Sequence, residues 1–146
     1  MRILYLYILL YVLFSIINKN KGYRLIFIFI AIGGALGSIT RYLFVILFQT
    51  TKNGFPISTF LVNVLGSFII GVIFYLLKDL NNENLKAFLM IGFLGGFTTF
   101  SAFSIDIMNL IYDKDYIISI LYILGTVSFS IISVFFGFWI TKLLSA

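Results

Sequence analysis

Four long stretches of the chain are almost free of charged residues, and each is long enough to cross a lipid bilayer. They cover about residues 25–48, 57–77, 85–112 and 116–141. A bilayer core of roughly 30 Å takes about 20 helical residues, because an α-helix rises about 1.5 Å per residue. The sequence therefore predicts an all-α membrane protein with four transmembrane helices.

The overall composition excludes most other classes of protein. Hydrophobic residues make up 62% of the chain and charged residues 10%, so there are too few polar side chains to cover a soluble globule. The absence of Cys and His removes disulfides, the usual zinc and haem sites and His-based catalytic triads. The net charge of +5 lies in short clusters between apolar runs, which is typical of membrane loops. We therefore expect neither an enzyme nor a nucleic-acid-binding protein.

Residues 1–24 are predicted to be an accessory hydrophobic extension, outside a four-helix domain that covers residues 25–142. The apolar run at 3–17 has only 15 residues, which is short for a span. No small-residue cleavage site follows it. Three interpretations stay open: an uncleaved signal-like anchor, an interfacial helix, or an upstream extension from a misassigned start.

The distribution of Lys and Arg gives the four-helix domain only a weak preferred orientation. The links between helices hold 8, 7 and 3 residues, so consecutive helices run antiparallel. The side on which the first helix begins carries Arg24, Lys78, Lys86 and Lys142. The other side carries Lys52 and Lys114, with Arg41 near that end but inside a helix. This bias is small under the positive-inside rule, so the chain can insert both ways up. Lys19 and Lys21 would strengthen the preference.

Polar side chains inside the predicted helices are the candidate functional residues, because the bilayer core penalises them. Asn63 lies roughly 9 Å deep in the second helix, and Phe100 lies at nearly the same level in the third. Tyr122, Thr126 and Ser130 recur every four residues and place three hydroxyls on one stripe of the fourth helix. Such hydroxyls can simply bond back to the preceding turn. The Asn63 amide is harder to explain without a partner or water.

The run at 92–104, GFLGGFTTFSAFS, is the most informative segment of the sequence. Two adjacent glycines followed by two β-branched threonines make a poor helix in the middle of a span, which predicts a break in the third helix. Freed carbonyls at that depth favour a cation, whereas the N-terminus of the half-helix that follows favours an anion. Pairs of small residues indicate close helix packing: Gly33 with Gly37, Ser67 with Gly71, and Gly92 with Gly96.

Asp106 is the only acid within the predicted spans, and Arg41 is a base within the first one. Asp106 is about 30 Å and Arg41 about 25 Å from the side on which the first helix begins, so both lie near the opposite boundary. Their similar depth predicts a structural ion pair between them.

Three motifs in this order resemble the Fluc (CrcB) fluoride channels. They are residues 33–38 (GGALGS) with Arg41 and Tyr42, residues 59–68 (TFLVNVLGSF) and residues 95–104 (GGFTTFSAFS). The match covers all four helices, over about residues 27–142, and three ordered motifs are far more specific than one. Residues 1–24 lie outside the pattern.

The resemblance implies a channel in the inner or plasma membrane that exports cytoplasmic fluoride and so lowers fluoride toxicity. It also implies an antiparallel, dual-topology homodimer with two fluoride pathways between the subunits; a paralogous chain in place of the second copy stays open. A structural sodium ion at the dimer centre would be bound by the main-chain carbonyls of Gly95 and Thr98. The implied pathway residues are Asn63 as the amide donor, Phe100 and Phe103 as rings that face the ion, Tyr122, Thr126 and Ser130 as a polar track, and Arg41 at the vestibule.

These residue types suit fluoride, which is small and strongly hydrated. A pore must replace its water with donors, and an amide, hydroxyls and electropositive ring edges can supply them. Two alternatives belong to other classes. A small proton-coupled multidrug exporter needs a carboxylate in the first helix, and this chain has none there. A non-transporting scaffold would leave Asn63 and the glycine-threonine run unexplained.

Overall fold

The computed structural model of the protein describes residues 7, 8, 11, 15, 21–48 and 54–145, with the backbone alone at residues 21 and 22. Most of the proposed extension at 1–24 lies outside the described residues, so its role stays a prediction. Every regular element in the described ranges is a helix. The elements are α1 (Lys21–Leu47), α2 (Ile57–Leu77), α3 (Glu83–Lys86), a π-helix (Ala87–Leu94), α4 (Gly95–Phe97), α5 (Phe100–Tyr112) and α6 (Tyr116–Leu144).

Four helical stretches are long and apolar enough to cross a membrane, and we call them the first to fourth spans. They are Tyr23–Leu47, Ile57–Leu77, Glu83–Tyr112 and Tyr116–Leu144. This confirms the prediction of four membrane-spanning helices, and the second span has the predicted bounds. The last helix continues to Leu144, three residues beyond the predicted end at residue 141.

The outside of the bundle is apolar on every span. Large side chains such as Leu36, Phe74, Ile117 and Phe135 are exposed. Six of the buried apolar side chains form two small clusters, Val62 with Leu94 and Phe97, and Phe103 with Leu110 and Tyr122. Helices that are apolar all round belong in a core or in lipid, and here there is too little core to cover them. The chain is therefore a multi-pass membrane protein.

Glycines bring the spans together in two close pairs. A Cβ atom at Gly37 in α1 would overlap the Phe93 carbonyl, and one at Gly96 would lie 2.5 Å from the Gly34 carbonyl oxygen. In the second pair, a Cβ atom at Gly71 of α2 would overlap the Val134 carbonyl of α6. The first span thus packs on the early part of the third span, and the second packs on the fourth. The small-residue pairs at 33/37 and 92/96 are confirmed as packing faces.

The backbone of the third span changes from helical to extended at two threonines. Helix α4 ends at Phe97, and Thr98 (φ −74°, ψ 157°) and Thr99 (φ −154°, ψ 117°) are extended before α5 begins at Phe100. Thr99 caps α5, because its Oγ1 accepts a hydrogen bond from Ala102 N at 3.2 Å. The sequence does not predict the π-helix that precedes this segment.

Candidate ion pathway

Asn63 is paired with the extended backbone of the third span. Its Nδ2 donates to Thr99 O at 3.0 Å, and its Oδ1 accepts from Thr99 N at 2.8 Å. Asn63 stands on α2, so these two bonds join the second span to the third. They also place Asn63 beside the residue that precedes Phe100, which confirms the predicted common depth.

The pairing changes the hydrogen bonding of two carbonyl groups. In a continuous α-helix, Thr99 N would donate to the Gly95 carbonyl and Ala102 N to the Thr98 carbonyl. Instead, Thr99 N donates to Asn63 and Ala102 N donates to the Thr99 hydroxyl. The carbonyls of Gly95 and Thr98 have therefore lost their helical donors. These are the two carbonyls that the family resemblance assigns to a cation.

A cleft of about 410 Å³ opens where the second, third and fourth spans meet. Most of the predicted site residues line it, and they come from three different spans. They are Asn63, Gly95, Thr98, Phe100, Phe103, Thr126 and Ser130. Gly66, Ser67 and Thr99 add to the lining beside them. Residues that are distant in the sequence are thus gathered around one cleft within the membrane-spanning part of the chain.

Two hydroxyls of the cleft are buried without a hydrogen-bond partner among the described residues. They are Thr126 Oγ1 and Ser130 Oγ. Other hydroxyls in these helices do bond back to the preceding turn, as Thr98 does to Leu94 O at 2.8 Å and Thr141 to Gly137 O at 2.7 Å. A buried hydroxyl without a partner is costly. Back-bonding therefore does not explain Thr126 and Ser130.

Two phenylalanine rings at the cleft differ sharply in exposure. Phe103 is 5% exposed and Phe100 is 76% exposed, although their centroids lie only 5.5 Å apart. Phe103 is held by the Tyr122 ring, at a centroid distance of 5.1 Å. The Phe100 ring projects from the surface of the single chain beside the cleft.

Residues 28–138 match the family model described as CrcB-like protein, Camphor Resistance (CrcB). The chain belongs to the CrcB family. Relatives of this CrcB chain include proteins named fluoride-specific ion channel FluC. The one from Helicobacter acinonychis is 40% identical over 124 residues, which is 82% of this chain and 97% of the relative. Those from Francisella philomiragia and Paracoccus denitrificans are 39% and 41% identical, over 79% and 76% of this chain and 93% and 90% of theirs.

Two predicted site residues of this CrcB chain do not line the cleft. Tyr122 is fully buried, and its hydroxyl donates to Asp106 Oδ2 at 2.9 Å. Its ring also meets the Phe55 ring edge-on at 5.4 Å. Arg41 is likewise absent from the lining of the cleft. Tyr122 therefore stands directly behind Phe103, while Arg41 keeps its vestibule role only as a prediction.

The predicted ion pair between Arg41 and Asp106 is wrong within the described chain. The ion pairs formed by the described residues are Lys78 with Asp79 and Lys86 with Glu83. Asp106 is bonded to Tyr122 instead. Equal depth does not bring two helices together, and α1 packs on the π-helix and α4 rather than on α5. The sequence does contain a sign that Tyr122 is the partner of Asp106. Of the three hydroxyl residues on the stripe of the fourth helix, Tyr122 is nearest the boundary at which Asp106 is predicted.

Sequence reasoning also missed Thr99 as the backbone partner of Asn63. The available signal was the buried amide itself, which needs both a donor and an acceptor. Extended backbone offers both at one residue, as in a pair of β-strands.

Proposed function

We propose that this CrcB chain is a fluoride-selective channel that lets cytoplasmic fluoride leave the cell down its electrochemical gradient, and so lowers fluoride toxicity. The family match and the printed names of its relatives support this assignment, and those names describe channels rather than enzymes. The observation that supports it most strongly is the cleft, which combines the Asn63 amide with two unpartnered buried hydroxyls. The membrane would be the inner or plasma membrane.

The donors of the cleft suit a small anion. An amide nitrogen carries two hydrogens, and Asn63 Nδ2 uses one for Thr99 O, which leaves one for the ion. The hydroxyls of Thr126 and Ser130 each add a donor, and the ring edges of Phe100 and Phe103 are weakly electropositive. Together they replace the water around fluoride without holding it tightly, as conduction requires.

A second subunit would complete the pathway. Phe100 and Gly95 line the cleft and are exposed on the single chain. In an antiparallel dimer a second subunit, inserted the other way up, covers this face and gives two pathways. The weak charge bias supports two copies of this chain in opposite orientations. A paralogous chain that always inserts in the opposite orientation to this one would form the same two pathways.

A sodium ion at the dimer centre is part of the proposal. The break predicted in the third helix is supported by the extended backbone of Thr98 and Thr99, and the carbonyls of Gly95 and Thr98 have lost their helical donors. Carbonyl oxygens are suitable ligands for a hard cation. When bound, the ion would supply fixed positive charge that favours anions nearby. Replacing sodium by N-methylglucamine should therefore lower the unfolding temperature of the dimer, and an unchanged temperature would argue against the ion.

The proposed function is tested by efflux from liposomes that contain the purified full-length protein. Potassium fluoride inside, valinomycin outside and a fluoride electrode report the flux, and potassium chloride liposomes serve as the control. We expect rapid fluoride efflux and negligible chloride efflux. A folded protein that releases no fluoride, with and without residues 1–21, would contradict the proposal and favour a scaffold. Flux that appears only with a pH gradient would favour the proton-coupled exporter.

A further inference from the structure

Gly66 of α2 lies in direct contact with Thr98 of the third span. It follows Asn63 by three residues, so both face the same side of α2. A Cβ atom at position 66 would overlap the Thr98 Cγ2 methyl and lie 3.2 Å from Phe97 Cδ1. The second span therefore reaches this part of the third span only because residue 66 has no side chain.

The Thr98 methyl has little freedom to move away. The Thr98 hydroxyl donates to Leu94 O at 2.8 Å, and a β-branched side chain is stiff at χ1. Rotating the side chain would carry the methyl away from Gly66, but it would also take the hydroxyl away from Leu94. The methyl thus acts as a fixed spacer between the third span and α2.

The contact between Gly66 and Thr98 lies next to the hydrogen-bonded pair of Asn63 and Thr99. Thr98 is covalently linked to Thr99, whose N and O groups bond to Asn63 at 2.8 and 3.0 Å. Pushing Thr98 away from α2 would therefore lengthen both bonds to Asn63. It would also displace the backbone of Thr98, a residue that lines the same cleft.

We propose that Gly66 and the Thr98 methyl form a positioning contact, which sets the distance between α2 and residues 98–99 and so holds the Asn63 amide in place for the ion. This inference rests on the proposed function, because the amide is held for fluoride. Gly66 and the Thr98 methyl offer the ion no hydrogen-bond donor. They act through Asn63 and Thr99.

The colliding atom can be deleted, which gives a direct test. Gly66→Ala introduces the overlap, and Thr98→Ser removes Cγ2 while keeping the hydroxyl that donates to Leu94. Four variants of the full chain are compared in the fluoride efflux assay: Gly66→Ala, Thr98→Ser, the double variant, and Gly125→Ala as a control. A Cβ atom at Gly125 would lie 3.8 Å from Phe60 Cε2, which is ordinary van der Waals contact.

We expect Gly66→Ala to lose roughly tenfold or more of the fluoride efflux, because overpacking at this point moves Thr99. The control should match the wild type. The double variant should recover to within about threefold of Thr98→Ser alone, since the clash is gone. Wild-type efflux from Gly66→Ala would overturn the inference. So would a folded double variant that stays as slow as Gly66→Ala.

Hydrogen exchange of a peptide covering residues 95–104 separates this inference from the proposed function. Gly66→Ala should speed hydrogen exchange in this peptide, and adding Thr98→Ser to Gly66→Ala should restore protection. Both results are expected whether or not the chain conducts fluoride. Absence of fluoride efflux from the wild-type chain would contradict the proposed function. The exchange pattern would still show whether the contact between Gly66 and the Thr98 methyl positions residues 98–99. If Gly66→Ala does not fold, rescue of folding by Thr98→Ser is the expected result, and failure of that rescue overturns the contact.

Discussion

Asn63 and Thr99 are joined by two hydrogen bonds, which satisfy a buried amide and one extended residue of the third span at the same time. A single side chain of α2 thus stabilises the segment between α4 and α5. It keeps one N–H for the proposed ion. The same pairing removes the helical donor from the Gly95 carbonyl. The structure of the segment and its proposed chemistry therefore depend on one residue.

Asn63→Asp and Asn63→Ala remove the contacts of this side chain in two steps. The aspartate keeps an oxygen that accepts from Thr99 N but loses the NH₂ that donates to Thr99 O and to the proposed ion, and its charge repels fluoride, so we expect fluoride efflux to fall roughly tenfold or more. The alanine also leaves Thr99 N unpaired, which costs about 1–3 kcal/mol of stability. Efflux from liposomes and thermal unfolding in detergent measure both effects. Asn109→Ala, an exposed amide on α5, is the matched control. Wild-type efflux from Asn63→Ala would remove Asn63 from the pathway.

The bond between Tyr122 and Asp106 predicts a stability effect. Tyr122→Phe removes the hydroxyl that donates to the carboxylate at 2.9 Å. We expect a loss of about 1–3 kcal/mol, because a partly buried acid loses its donor. Asp106→Asn should cost less, since its amide oxygen can still accept. Unfolding in detergent measures this, with Tyr112→Phe, an exposed ring, as the control. Equal stability of Tyr122→Phe and the wild type would show that the bond contributes nothing.

The absence of cysteine in the chain allows a clean test of orientation. Glu83→Cys and Asp113→Cys place single thiols on the two sides of the membrane. We expect an impermeant maleimide to label both from outside intact cells, with Asp113→Cys labelled more strongly, because the side of Arg24 is the more basic one. Neutralising Lys19 and Lys21 should raise the labelling of Glu83→Cys. Labelling of one position alone would mean a single orientation and would require a different chain as the partner.

The four spans follow directly from the sequence, because hydrophobic length alone decides which helices can cross a bilayer. The common level of Asn63 and Phe100 also follows, since depth depends only on the helical rise. Rotation about the helix axis does not follow from depth. For this reason the sequence predicts a depth for Asp106 but not its partner, which is Tyr122 and not Arg41.

The π-helix at Ala87–Leu94 and the role of Gly66 were also missed. A π-helix depends on which backbone bonds survive when a helix packs closely on its neighbour, and no residue type in AFLMIGFL marks it. Gly66 lies within the motif at residues 59–68, but its contact with Thr98 depends on how closely two spans approach. Packing of this kind becomes visible only when the helices are placed in three dimensions.

The central claim is that fluoride crosses the membrane through the cleft, past Thr126 and Ser130. Thr126→Val with Ser130→Ala removes two hydroxyls that have no hydrogen-bond partner among the described residues, so stability should hardly change. Thr141→Val removes a hydroxyl that does donate, to Gly137 O, and it serves as the control. Neither variant alters the charge of the chain.

The most direct measurement is therefore the fluoride efflux rate of these two variants in liposomes. We predict that the double variant loses roughly tenfold or more of the flux, because the ion loses two donors. The control variant should keep the wild-type rate while unfolding at a lower temperature. Wild-type flux from the double variant, or slow flux from Thr141→Val alone, would contradict a pathway through this cleft.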